Sequence, residues 1–341
     1  MKKFLLVIFT FSFISGCAVT SQEGVMQTET RKGGLLGLSK NDAVEVTTPK
    51  AFAGKQTVVI GGFKVGFNDS KRLVNKASGG LLSRGTGGAS KGLVELQGVS
   101  PEVMQDITDK AYADFLSHLE KNGYTVVDRN TFVTHEAYKG TKEYEFPYKM
   151  DNSGFLSSYG TAMYYSPTDI GSKQPIFAGE IEGESGGFAF ANPVHAVSGY
   201  GESTGVSVIY VSYFVDFAGK GGSEGMFSSS LKVGQLLSVD KAMIGIASGQ
   251  GGSFSNNMGT LALGQPVGSD IEFATIENTT SDVAVGLETT KNVVYTVTGL
   301  GGTNQTREFV FSADPMKYSA ASMDALVRTN NTLMDKMTSL R

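Results

Sequence analysis

The chain has no tryptophan, one cysteine, three histidines and eight prolines among 341 residues. A single cysteine, Cys17, excludes a disulfide within the chain, so burial must hold the fold together. Hydrophobic residues at 40% make that feasible. His118, His135 and His195 form no H-E-x-x-H and no Cys/His zinc spacing, and no metal or cofactor is expected. Asp114 and His118 stand four apart on a predicted helix and read as an ordinary surface pair. No apolar run reaches the roughly 20 residues that a membrane helix needs. A formal charge of −4 without a basic block argues against nucleic acid as a partner. Forty-four glycines against so few prolines predict turns, bulges and close backbone approaches.

What is present begins at the N-terminus. Lys2 and Lys3 precede an apolar run from Phe4 to Phe13, and Ile14-Ser15-Gly16-Cys17 closes it with small residues before the cysteine. A positive end, a short apolar stretch and a small-residue cleavage site describe a secretory signal. Ser-Gly-Cys resembles a bacterial lipoprotein signal, in which Cys17 accepts lipid and becomes the mature N-terminus. Ala18, not Asp, follows it, which by the same resemblance implies outer-membrane sorting with the folded part in the periplasm. Loss of Lys2 and Lys3 with residues 1–16 takes the formal charge to −6, two below the −4 of the full chain.

Residues 17–50 are polar and small, and read as a lipidated tether with an extended arm. A flexible coil of that length would span on the order of 30 Å. Thr57–Ile60 and Phe63–Phe67 read as strands, and within the Gly/Ser/Lys-rich stretch 68–98 the run Gly79–Gly88 reads as a flexible loop that orders on assembly or contact. Gly79–Gly88 invites a phosphate-loop reading, but Lys91 lies between Ser90 and Gly92, and Gly-Lys-Ser/Thr is missing. Ser100, Pro101 and Glu102 open a helix whose stripe runs through Val103, Ile107, Ala111, Phe115 and Leu119, with Gly123 ending it. A short strand at Tyr124–Val127 follows, giving strand, helix and strand with parallel pairing expected.

Pro175–Gly183 reads as a strand. Val206–Phe217, apolar on both faces, reads as a central strand covered on both sides, with Asp216 a turn or cap residue and Gly219–Gly222 its turn. Short β segments are expected at 231–239, 242–247, 260–263, 271–276, 283–287, 293–298 and 308–311. Asp314-Pro315 opens a terminal helix. The expected fold class is α+β or α/β. Its parts are a signal peptide (1–16), a tether (17–50), an α/β domain (51–225), a β-rich glycine-containing region (226–312) and a C-terminal helix (313–341).

Ser185, Ser203 and Ser223 each match G-x-S-x-G, yet no histidine follows Ser203 or Ser223, and only His195 follows Ser185. Glu180, Glu182 and Glu184 alternate along the chain, and such like-charged runs serve solubility or cation contact more often than acid–base chemistry. No catalytic residue is nominated.

The blocks Val58–Phe63, Phe115–Arg129, Phe177–Gly183 and Val208–Asp216, in that order behind a lipoprotein signal, resemble the curli-secretion (CsgG-like) family of outer-membrane lipoproteins. The resemblance covers residues 55–220. It implies a periplasmic α/β domain that assembles into a homo-oligomeric ring, with two hairpins per subunit forming a shared membrane barrel. The windows 183–205 and 226–265 fall where those hairpins would lie, and exported protein or envelope components would be the partners. The expected function is non-enzymatic surface assembly or secretion. A tethered monomeric binding protein and an envelope hydrolase are the alternatives.

Overall fold

The computed structural model describes residues 18–33, 39–77, 88–151, 160–177, 179–181, 191–225, 228–249, 258–298 and 304–341. In chain order its main elements are β1 (Ala18–Val25), β2 (Val44–Thr47), β3 (Thr57–Asn68), β4 (Ser70–Lys76), β5 (Ala89–Gln97), α1 (Pro101–Lys121), β6 (Thr125–Val127), β7 (Tyr148–Asp151), β8 (Thr161–Tyr165), α2 (Ala191–Thr204), β9 (Ser207–Glu224), β10 (Ser229–Ala247), β11 (Met258–Leu263), β12 (Ala274–Asn278), α3 (Asp282–Thr298), β13 (Asn304–Ala313) and α4 (Pro315–Ser339). The mixed content is that of the expected α+β class.

Two strands organise the molecule. β9 and β10, of 18 and 19 residues, pair antiparallel from Val208 with Ala247 down to Glu224 with Ser229. The expected domain boundary at 225/226 falls between these two paired strands, so both regions share one sheet. Gly219–Gly222 is strand, not turn. The segments expected at 231–239 and 242–247 are a single strand.

Their upper halves belong to a sheet in the order β7-β8-β3-β9-β10-β11-β2, with β6 parallel on β3. β6, which follows α1, is parallel to β3, so the strand–helix–strand order does give parallel pairing, and β3 is also parallel to β9. α1 and α4 lie against each other over this sheet, burying Ile107, Phe115, Leu119, Leu326 and Leu333 with Val211 and Tyr213. Asp314 caps α4 by accepting from the N–H groups of Met316 and Lys317 at 2.9 and 3.0 Å. In α1 only the Ser100 carbonyl, not its hydroxyl, meets the first helical amides.

The lower halves form a sandwich with a second sheet, β12-β13-β5-β4. Phe217 meets Phe311 edge-on at 5.2 Å across the layers, and a Cβ on Gly92 would lie 2.9 Å from Val233, so β5 approaches β10 closely there. The Gly/Ser/Lys-rich stretch 68–98 contains two strands, β4 and β5, and the loop expected at Gly79–Gly88 lies outside the described residues up to residue 87.

Further expectations are corrected. Ala18–Val25 is not tether: β1 pairs parallel with β10 from Ala18 opposite Ser230, and Val19 and Met26 are buried. Pro175–Gly183 is not a strand over its described part, and Gly179 has φ +80°. The window 183–205 holds a helix over its described part, with Pro193 in the first turn and Gly205 (φ +71°) donating its N–H to Gly201 at the end. The segments 283–287 and 293–298 both lie in α3, where Ser281 Oγ accepts from Ala284 N–H at 3.3 Å as a cap. In the window 226–265, β10 and β11 do form a hairpin, but it is buried in the sheet rather than free-standing.

Candidate functional site

A bulge at Gly61 sets up the main buried site. Ile60 pairs with Ile209 but Gly62 pairs with Tyr210, so one extra residue in β3 reverses which side chains face the helices. Phe63, Val65 and Phe67 then join the core under α1, while Lys64 turns to the opposite face. Lys64 is fully buried there, and its Nζ donates to Glu180 Oε2 at 2.7 Å, with neither side chain exposed. Phe146 and Phe177 flank the ammonium, each ring centroid 5.9 Å from Nζ.

The chain around Gln174–Phe177 and Gly179–Ile181 folds over this pair. Gln174 Oε1 accepts from Phe63 N–H at 2.9 Å and its Nε2 donates to Phe63 carbonyl at 2.8 Å, so one side chain imitates a neighbouring strand. Phe177 N–H donates to Glu180 Oε2 at 2.6 Å, and Ser212 Oγ donates to Glu180 carbonyl at 2.6 Å. Phe177 stacks on Tyr210 at 4.2 Å. Gly62 makes the space: a Cβ there would sit 2.8 Å from Gln174 Oε1 and 3.0 Å from Lys64 Nζ. Glu180 Oε1 has no hydrogen-bond partner among the described residues.

Burial dominates the electrostatics of this pair. It raises Glu180 above the usual carboxylate range against the opposing pull of Lys64 and the Phe177 amide. It also lowers Lys64, with Glu180 opposing and the Arg129 charge adding to the fall. Desolvation of two charges outweighs their mutual attraction, as expected where both leave water completely.

A second buried carboxylate, Asp216, lies where β9 passes from the upper sheet into the sandwich. Its Oδ1 accepts from Asn68 Nδ2 at 3.0 Å and from Phe217 N–H at 2.9 Å, and Lys71 Nζ donates to Oδ2. Lys71 also donates to the Ala218 carbonyl at 3.1 Å. Asp216 is thus a mid-strand anchor, neither turn nor cap. Lys71 and Asp216 border a cavity of about 390 Å³ together with Arg72, Lys220 and Asp240.

Other nominated residues fall apart or into structural roles. Cys17, Glu182, Glu184 and Ser185 lie outside the described residues. Ser203 does meet a histidine, the earlier His135, with Oγ and Nε2 3.0 Å apart. The polarity is wrong for nucleophile activation. Ala137 N–H donates to His135 Nδ1 at 3.1 Å, so a neutral ring carries its proton on Nε2, while Ser203 Oγ donates to the Gly199 carbonyl at 2.9 Å. Ser223 bonds only Ser230. Asp114 and His118 are 3.7 Å apart, and Asp114 also accepts from Asn330 Nδ2 at 2.6 Å. Asn330 in turn accepts from the buried Tyr213 hydroxyl, so a polar chain ties α1 to α4 and β9. Among the described residues no group of three or more His, Cys, Asp or Glu could hold a metal ion.

Comparison with protein families, curated proteins and solved structures finds no match. Sequence reasoning misses the Lys64–Glu180 pair because Lys64 reads as the polar member of an alternating strand. The one signal is Gly61-Gly62 shortly before it, where a bulge can reverse the faces.

Proposed function

We propose that this chain is a non-enzymatic outer-membrane lipoprotein acting in envelope or surface-structure assembly or secretion. The observation that carries the reading is the Ser-Gly-Cys17-Ala18 signature joined directly to a paired strand. Ala18 already pairs with Ser230, so Cys17 is one residue from the folded body. A lipid on Cys17 would hold one pole of the fold against the leaflet, with no spacer. The parallel strand–helix–strand core supports the CsgG-like resemblance in its coarse order. Its two barrel hairpins have no free counterpart among the described residues, so the reading rests on a membrane-apposed body and leaves the barrel aside.

The test is replacement of Cys17 by Ala in the full chain. The precursor should remain uncleaved or leave the outer-membrane fraction, and normal processing with membrane retention would overturn the lipoprotein reading. Imaging of detergent-extracted particles then examines assembly. Closed rings support a ring-forming homo-oligomer, and particles of a single chain favour a tethered monomeric binding protein. That second reading has its own support in an open cavity of about 690 Å³ between Arg72, Glu95, Thr161 and Glu308, a size at which small ligands are held.

A further inference from the structure

Helix α3 turns its polar side to the protein and its apolar side to the outside. Glu288 accepts from Thr306 N–H at 2.8 Å and pairs with Arg307 at 2.9 Å. Asn292 both accepts from Asn304 N–H at 2.9 Å and donates to its carbonyl at 2.8 Å. These side chains, four residues apart, occupy the edge of β13 as a neighbouring strand would. The opposite stripe, Val283, Gly286, Leu287 and Thr290, carries no charge and is exposed. Val283 is 74% and Leu287 60% exposed, and among the described large apolar side chains only Met316 exceeds them. An apolar stripe left in water forgoes the stabilisation of burial, so an outward face of this kind calls for a partner.

The position of the helix points to that partner. Asn292 is level with Asn304, which pairs with Ala89 of β5. Ser90, beside it, bonds Ser229, the neighbour of Ser230, which pairs with Ala18. Across the sandwich, β1 packs against β13, β5 and β12, and α3 packs on β13 as well, so both lie toward the β13 side of the molecule. The residue after Cys17 is therefore level with the Asn292 end of α3, and the exposed Val283 and Leu287 run from there along the same edge toward Thr280 and Glu308. We infer that α3 lies flat in the headgroup region of the leaflet that holds the Cys17 lipid, acting as a second, protein-made contact with the bilayer. This inference rests on the lipoprotein reading above. Helices of this kind bury an apolar face about 5–10 Å into the interface, and one acyl signal is reinforced by a second contact. Lys291, exposed on the flank of the stripe, would face lipid phosphates.

A chain without native tryptophan accepts a single indole as an unambiguous reporter. Leu287→Trp in the mature acylated protein, reconstituted in phosphatidylethanolamine–phosphatidylglycerol vesicles, should emit to the blue and lose about half its emission to brominated lipid, as an interfacial side chain does. Glu136→Trp, at a position 78% exposed in its side chain and packed beside α2, is the control and should be unaffected. Acylated protein that floats with vesicles, with the Leu287→Trp variant no more quenched than the Glu136→Trp variant, would overturn the inference alone. A concentration-dependent blue shift of the Leu287→Trp variant in detergent without lipid would overturn it in favour of a second copy. An N-terminal peptide whose mass shows no acyl chain would overturn the lipoprotein reading and this inference with it.

Discussion

The two buried lysine–carboxylate pairs differ in how well the protein replaces water. At Asp216 both carboxylate oxygens have protein donors, and Lys71 retains 14% side-chain exposure beside a cavity. At Glu180 one oxygen carries all the hydrogen bonds, the other has none among the described residues, and the lysine is sealed beneath two phenylalanine rings. The first pair joins the upper sheet to the sandwich with its carboxylate fully paired, and the one atom beside it without a partner among the described residues, Asn68 Oδ1, carries no charge. The second is a clasp that fixes Gln174, Phe177 and Glu180 to β3 at an electrostatic cost. A lysine on a carboxylate thus gives a comfortable contact in one place and a stressed one in another, and the difference lies in the remaining hydrogen-bond partners.

The sharpest way to break that contrast is Lys64→Met. Removing one partner of a fully buried pair costs about 3–5 kcal/mol, because the remaining charge is left without compensation. Urea denaturation of this variant should show a loss of that order, and Lys64→Met with Glu180→Gln should recover much of it. A double variant no better than the single one would remove the clasp argument. The single variant should also respond to pH. Glu180 is already raised by burial, and without Lys64 nothing pulls it down except the Phe177 amide. An acid whose folded pKa exceeds its unfolded one holds its proton more tightly when folded. Its contribution is therefore full below the ordinary carboxylate value and is lost as pH rises through the raised one, by up to about 1.4 kcal/mol per pH unit. Stability of Lys64→Met should accordingly increase on mild acidification.

A smaller loss is expected from Gly62→Ala. Its Cβ would press on Gln174 and Lys64 together, and such overpacking costs about 1–3 kcal/mol. Because the clash is with the clasp, the cost should shrink when Lys64→Met is already present. Additive losses in the double variant would show that the backbone, not the side chains, resists. Asp216→Asn should cost least, about 1–2 kcal/mol: Oδ1 still accepts from Asn68 and Phe217, while the amide nitrogen that replaces Oδ2 cannot accept from Lys71, which loses that bond but keeps the Ala218 carbonyl and its exposure to the cavity. A loss as large as that of Lys64→Met would mean that the two sites are electrostatically alike.

Much of the frame is legible along the chain. α1 and α4 carry their stripes and their start signals within one stretch of sequence, and β9 is apolar on both faces because it is covered on both. These features depend on near neighbours or on burial alone. Elsewhere local pattern misleads. The β-branched residues of 282–298 read as strands, yet the Ser281 cap and the Glu288 and Asn292 contacts to β13 hold a helix. Residues 18–25 read as tether because their few apolar positions look weak until β10 supplies an edge. Pro193 and Gly205 are helix signals that barrel spacing obscures.

The sequence alone determined the long helices and the central strand, and it carries the Ser-Gly-Cys17 pattern on which the lipoprotein proposal rests, since such patterns, caps and periodicity are written in consecutive residues. Tertiary structure alone decided that Glu180 would meet Lys64, 116 positions away, and that α3 would turn its apolar face outward. Burial of a charge and occupation of a strand edge depend on which distant residues arrive beside them, and no local pattern encodes that arrival.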